Sequence, residues 1–187
     1  MEIFTRHLSI TKRAFTRNLV RLNSLDFARW RLLPGMPFKA KEKWWAGGNR
    51  GRGHNGLDLR FYETAGGEVK TLSGETKIPL IHTARIIKII PDFIGHSIFA
   101  EHASPAGGKR LFTIYGHVAP EEGIEDRQLE GGCVIGRLAP SKGSVPTHLH
   151  ISIALVPADK KIPLEALNWE TLDETEGVLF FDPEEIL

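Results

Sequence analysis

From residue 36 onward the chain is a succession of short β-branched or alternating runs separated by clusters of Gly, Pro and Asn. That punctuation limits the fold more than any other feature, because it is the pattern of an antiparallel all-β domain. Candidate strands are LDLRFY (57–62), EVKTL (68–72), TARIIKII (83–90), SIFAEH (97–102), RLFTIYGH (110–117), CVIGRL (133–138) and HLHISIAL (148–155). KIPLEALNWETL (161–172) has room for a short helix, and VLFFDPEEIL reads as a last strand or a docking tail. No internal repeat and no linker divides residues 36–187, which are predicted to form one domain. Before it, residues 1–35 are predicted to be a helical segment. Within 11–30, Phe15, Leu19, Leu22 and Phe27 fall near helical spacing, while Arg13, Arg17 and Arg21 mark a solvated face of one amphipathic helix.

Composition removes several functions. The 187 residues carry 24 Lys plus Arg against 23 Asp plus Glu, a net charge of +1, so there is no basic surplus for a nucleic-acid or membrane-surface binder. The longest apolar runs are far short of the roughly 20 residues of a membrane span. The N-terminal stretch lacks the apolar run and small-residue cleavage site of a secretory signal. One cysteine, Cys133, excludes an internal disulfide and a thiolate-rich zinc cage, and is expected to be a buried, inert side chain. Eight histidines then stand out.

In GRGHNGLDLRF, His54 and Asp58 are four apart, but Gly51, Gly53 and Gly56 argue against a helix. In an extended strand the two would lie about 13 Å apart, so one shared site requires a bend, which Gly56 is expected to supply through backbone angles closed to other residues. In THLHIS, His148 and His150 alternate and project from one face of a strand, with Cα atoms about 7 Å apart. In TIYGHV, His117 ends a strand just before Pro120. His54, Asp58 and one histidine of the 148/150 pair would give three ligands and an open fourth position, the arrangement of a catalytic rather than a structural zinc. Zinc so held acidifies water and polarises a carbonyl, which suits amide hydrolysis without a covalent intermediate. The remaining histidines would supply general acid or base function.

HNGLD, YGH and HLH together resemble the lysostaphin and LytM type of zinc metallopeptidase, a family of bacterial cell-wall endopeptidases with the pattern H-x-x-x-D, a YxH-like strand end, then H-x-H. The resemblance covers about residues 30–168 and includes RWRLLPG, GHSIFAEH, LEGGCVIGRLAPSKGSVPTHLHISI and KKIPLEAL as flanking texture. It implies a mainly antiparallel β domain of the duplicated-hybrid-motif type, with a long groove for an extended peptide. It also implies that His54, Asp58 and His150 bind zinc, and that His117 and His148 are the catalytic histidines, which deprotonate the attacking water and stabilise the tetrahedral intermediate. The implied substrate is the cross-linking peptide of peptidoglycan, and the implied location the cell envelope, periplasm or extracellular space. A non-catalytic peptidoglycan-binding or amidase-regulating module of the same fold is the alternative; such relatives have lost ligands, which this chain retains.

The chain departs from that pattern in three places. Residues 63–77 are longer than the usual link, TARIIKII lacks an expected glycine, and Ile151 and Ser152 stand where an aromatic and an acidic residue are common. None of these is expected to touch a ligand or catalytic position; the insertion is expected to bear on specificity. Trp44 and Trp45 are expected to anchor the core or a loop, Arg50 and Arg52 to be solvated, and His82, His96 and His102 to have packing, hydrogen-bonding or surface roles.

Overall fold

The computed structural model describes residues 13–103 and 108–187. The start of the expected helix, at residues 11 and 12, and the rest of the N-terminal segment before Arg13 lie outside them. The helix itself, α1 (Ala14–Asn23), follows the apolar spacing: Phe15 and Leu19 are fully buried, and Arg13, Arg17 and Arg21 face solvent. Phe27 lies beyond the helix end and packs on Trp30 and Tyr62 instead. Asn23 fastens the last turn to the sheet. Its side-chain amide donates to the Leu19 and Lys77 carbonyls at 2.8 and 2.9 Å, and its oxygen accepts from the Lys77 N–H at 2.8 Å.

Twelve strands are described, all paired antiparallel: β1 (Arg29–Arg31), β2 (Leu57–Leu59), β3 (Phe61–Glu63), β4 (Val69–Thr71), β5 (Lys77–Pro79), β6 (Ala84–Pro91), β7 (His96–His102), β8 (Arg110–Pro120), β9 (Gln128–Leu129), β10 (Val134–Leu138), β11 (Leu149–Val156) and β12 (Leu179–Phe181). The main sheet runs β12-β11-β8-β7-β6-β9, with β2 added beside β11, and β10 bridging β5 and the end of β8. The mainly β, antiparallel class read from the turn spacing is therefore the observed one. The periodicity gave no sign of β1, β5 and β9, which have only two or three residues each. LDLRFY is two strands broken at Arg60, whose guanidinium donates to the Thr147 carbonyl next to His148. The 63–77 insertion is built rather than loose: β3 and β4 form a hairpin that β1 extends into a separate three-stranded sheet.

Alternate residues of the central strands feed two apolar clusters on opposite faces of the sheet. Ile98, Leu111, Tyr115, Ile151 and Ile153 join Phe15 and Leu19 of α1 on one side. Phe99, Phe112, Ile114, Ala154 and Val156 join Leu167 and Leu172 on the other, where a 3₁₀ turn (Leu164–Ala166) and α2 (Trp169–Glu174) cover the sheet. Every residue of β11 is buried, because both its faces are covered. Cys133, just before β10, is exposed rather than buried, because it lies outside the strand beside the Gly131-Gly132 turn. Among the described residues, no helix is long and apolar enough to cross a membrane.

Candidate metal centre

Strand pairing brings the sequence motifs together. His150 on β11 lies directly opposite Asp58 on β2 and, across its other edge, opposite Gly116 on β8. His54 precedes β2 in a bend. Its backbone N–H and carbonyl pair with Ala40 O and Lys39 N, and the Asp58 N–H donates to Met36 O. The expected bend is present, but Gly56 serves it differently from the expectation, since its φ is not positive. What it supplies is space. A Cβ there would sit 2.3 Å from the Ile151 carbonyl, 2.5 Å from Ser152 Oγ and 2.7 Å from His150 Nε2.

The strand expected to end at His117 instead continues to Pro120, and His117 sits where it turns. β8 pairs with β11 up to Gly116 and with β10 from Val118. Between the pairs His96↔Val118 and Ile98↔Tyr115, β7 advances two residues and β8 three, so β8 carries one extra residue. His117 occupies that bulge with φ 67°, a left-handed conformation rare for a residue with a Cβ. The bulge turns its ring toward the site, with centroids 4.6 Å from His148 and 6.0 Å from His150.

Three side chains converge: His54 Nε2 lies 3.1 Å from His150 Nδ1 and 3.2 Å from Asp58 Oδ1, and His150 Nδ1 lies 2.9 Å from Asp58 Oδ1. Their outer atoms decide the protons. His54 Nδ1 is 3.1 Å from the Pro37 carbonyl, which can only accept, so Nδ1 carries the hydrogen and Nε2 presents a lone pair. Ser152 Oγ donates to the Asn55 carbonyl at 2.8 Å and so accepts from His150 Nε2 at 2.8 Å, which leaves the lone pair on His150 Nδ1. Asp58 is buried, and the Trp44 Nε1–H and the Arg50 guanidinium beside its Oδ2 favour the carboxylate form. Two imidazole lone pairs and a carboxylate thus face one another within hydrogen-bond distance without a proton to share, which is favourable around a cation. Tetrahedral zinc with bonds near 2.0–2.1 Å needs donor separations of about 3.3 Å, close to those found here. Among the described residues, His54, Asp58 and His150 form a group whose donor atoms suit a metal ion, and all three are buried.

Around this group are residues that the sequence reading assigned elsewhere. Trp44 Nε1 donates to Asp58 Oδ2 at 2.8 Å, and Arg50 Nη2 is 3.3 Å from the same oxygen, leaving Oδ1 for the convergence point. Arg50, far from freely solvated, also lies over Trp45 at 5.0 Å. Gly35, with φ 94°, permits this loop, because a Cβ there would meet the Trp44 backbone N at 2.8 Å. Trp45 stacks on His148 at 5.8 Å, and Trp169 lies edge-on to His150 at 5.1 Å. Ser152, expected to touch no ligand, is bonded to His150. Neither Trp169 nor Asp92 carries a local motif; alternation along HLHIS could have flagged Ser152 alone, since it shares a strand face with His150.

His148 lies beside the group, its Nε2 3.8 Å from Asp58 Oδ1. Its Nδ1 donates to the Pro146 carbonyl at 2.7 Å, so Nε2 is its free acceptor. Burial lowers its pKa to about 4, against the opposing pull of Asp58, and leaves the ring neutral near pH 7. His117, His148 and His150 open onto a pocket of about 320 Å³ walled by Trp45, Phe93 and Trp169. His82 and His96 are half-buried outside it, and His102 is buried between Thr83 and Thr113.

No sequence-family profile matches the chain, and no curated relative matches it. Solved structures similar to it include a putative peptidase M23 from Pseudomonas aeruginosa, 18% identical over 76% of this chain and 56% of that one, with a TM-score of 0.41. Lysostaphin is 17% identical over 68% of this chain and 42% of its own, with a TM-score of 0.43. The catalytic domain of the prophage-encoded M23 protein EnpA from Enterococcus faecalis is 18% identical over 72% of this chain and 96% of that one, with a TM-score of 0.42. The chain thus spans about half the length of the first two. These are likenesses of fold to M23 peptidases and lysostaphin, and the chemistry of the site rests on the side chains described above.

Proposed function

We propose that residues 36–187 form a zinc-dependent metalloendopeptidase that hydrolyses peptide bonds, with the cross-linking peptides of peptidoglycan as substrate and the cell envelope, periplasm or extracellular space as the place of action. The observation that carries this reading is the convergence of three proton-free donors, His54 Nε2, Asp58 Oδ1 and His150 Nδ1, beside two further buried histidines on one pocket. Zinc held by these three residues supplies a Lewis acid that polarises a peptide carbonyl and acidifies water. His148, neutral and with Nε2 free, takes the proton of the attacking water and passes it to the leaving amine. His117, on the same pocket, accepts the other hydrogen of the attacking water and so orients it. Trp45, Phe93 and Trp169 exclude water from around an extended peptide. The peptidoglycan substrate and the location come from the resemblance in the HNGLD, YGH and HLH motifs.

One equivalent of zinc is expected to co-purify with the protein, and His150→Ala to lose most of it. Digests of purified peptidoglycan read by mass spectrometry should show new peptide termini that disappear in His148→Ala. Full hydrolysis by metal-free protein would overturn the reading. Zinc binding without cleavage of any peptidoglycan peptide would make the chain a binding or regulatory module instead.

A further inference from the structure

The turn between β6 and β7 carries a buried carboxylate that the catalytic reading leaves without a task. The Asp92 side chain is 6% exposed and lines the pocket. Its Oδ1 belongs to the turn, accepting the Ile94 and Gly95 N–H groups at 3.1 and 2.7 Å. Oδ2 points away from the turn. It accepts the Ser97 hydroxyl at 3.0 Å and the backbone N–H of His117 at 2.8 Å, and lies 3.2 Å from His117 Nδ1. The Ser97 hydroxyl in turn accepts Trp169 Nε1 at 2.8 Å, so the carboxylate is held from the far wall of the pocket as well.

His117 needs such support twice over. A non-glycine residue in the left-handed region is strained, and persists only where its surroundings over-determine it. The bond from its N–H to Asp92, with the bond from Ala139 N to its carbonyl at 2.8 Å, fixes the bulge. The ring needs a fixed tautomer too. Among the described residues, His117 Nδ1 is the buried side-chain polar atom without a well-aligned hydrogen bond, and the acceptor within reach is Asp92 Oδ2. Because a carboxylate can only accept, it makes Nδ1 the protonated nitrogen and leaves Nε2 to meet a ligand.

We propose that Asp92 is the positioning residue for His117: through one oxygen it holds both the strained backbone and the imidazole tautomer, so that His117 Nε2 faces the reacting peptide. The proposal rests on the reading of His117 as a catalytic histidine. The discriminating variant is Asp92→Asn, with the amide NH₂ in place of Oδ2, where it opposes both donors of His117, the backbone N–H and Nδ1–H, while Oδ1 still serves the turn. In the zinc-loaded protein, turnover on purified peptidoglycan is expected to fall about 100-fold with KM and zinc stoichiometry unchanged. In a His117→Ala background the same change is expected to cost nothing further, whereas a merely structural role would give additive losses. Long-range ¹⁵N correlations of the histidine rings should show His117 as the Nδ1–H tautomer in the unmodified protein and should lose that pattern in Asp92→Asn. An Nε2–H tautomer at His117 in the unmodified protein would sink the proposal whether or not the variant folds. So would wild-type turnover in Asp92→Asn, or additive losses in the double variant. Full activity of His117→Ala would instead remove the catalytic role of His117, and the ¹⁵N pattern would still decide whether Asp92 holds the ring.

Discussion

Each of three histidines around the pocket has one nitrogen occupied by an oxygen of its surroundings: Pro37 O for His54, Pro146 O for His148 and Ser152 Oγ for His150. This leaves Nε2, Nε2 and Nδ1 as the free nitrogens, so the two proposed zinc-ligating histidines present different ring atoms. Ser152 matters because a hydroxyl could either donate or accept, and only its bond to Asn55 O fixes the direction. Ser152→Ala is expected to weaken zinc binding about 10- to 100-fold in competition with a chelator, the usual effect of removing a partner that orients a ligand. The types and spacing of His54, Asp58, His117, His148 and His150 were legible in the chain, because each motif is local. Trp44, Arg50, Asp92 and Trp169 were not, because they reach the site from three separate segments, the loop around residues 42–50, the β6–β7 turn and α2, with no spacing to mark them.

Among the elements, β8 does most to shape the site. Its first seven residues pair with β11 and its last three with β10, and the extra residue at the changeover is His117. From sequence this run looked like a strand stopping at the histidine, since a bulge leaves no signature in alternation. The insertion at 63–77 showed as a departure but not as structure: Glu63 of β3 takes Arg29 and Arg31 of β1 at 2.6 and 3.1 Å, a pairing between segments more than thirty residues apart. Helix α1 was legible from its apolar spacing, and its contribution should be to stability. Leu19 is fully buried against the sheet on the face away from the histidines, so Leu19→Ala is expected to cost about 2–5 kcal/mol in urea unfolding while zinc stoichiometry stays the same.

For the whole molecule, acid sensitivity follows from a histidine outside the site. His102 is buried between the Thr83 carbonyl at 3.1 Å and the Thr113 hydroxyl at 2.7 Å, and burial lowers its pKa from 6.5 to about 4. The folded protein keeps the ring neutral, while the unfolded chain protonates it below about pH 6.5. Stability from this residue is therefore full above that pH and declines as the pH falls toward 4. Linkage gives a loss of about 2 kcal/mol between pH 7 and pH 5. His102→Gln should reduce the fall in urea midpoint over that interval, and an unchanged fall would show that His102 does not carry it.

The amino-acid sequence alone determined the β class, the longer strands, the helix and the chemical types available to the site. These are set by periods of two and 3.6 residues and by turn residues, all of which act over a few positions. Tertiary structure decided which ring nitrogens are free, which Asp58 oxygen is left for the convergence point, and where His117 points. Those depend on contacts between residues such as Asn55 and Ser152, 97 positions apart, or Asp92 and His117, 25 apart. Proton location on an imidazole is a property of what its other nitrogen meets, and only the closed sheet brings those partners within bonding distance.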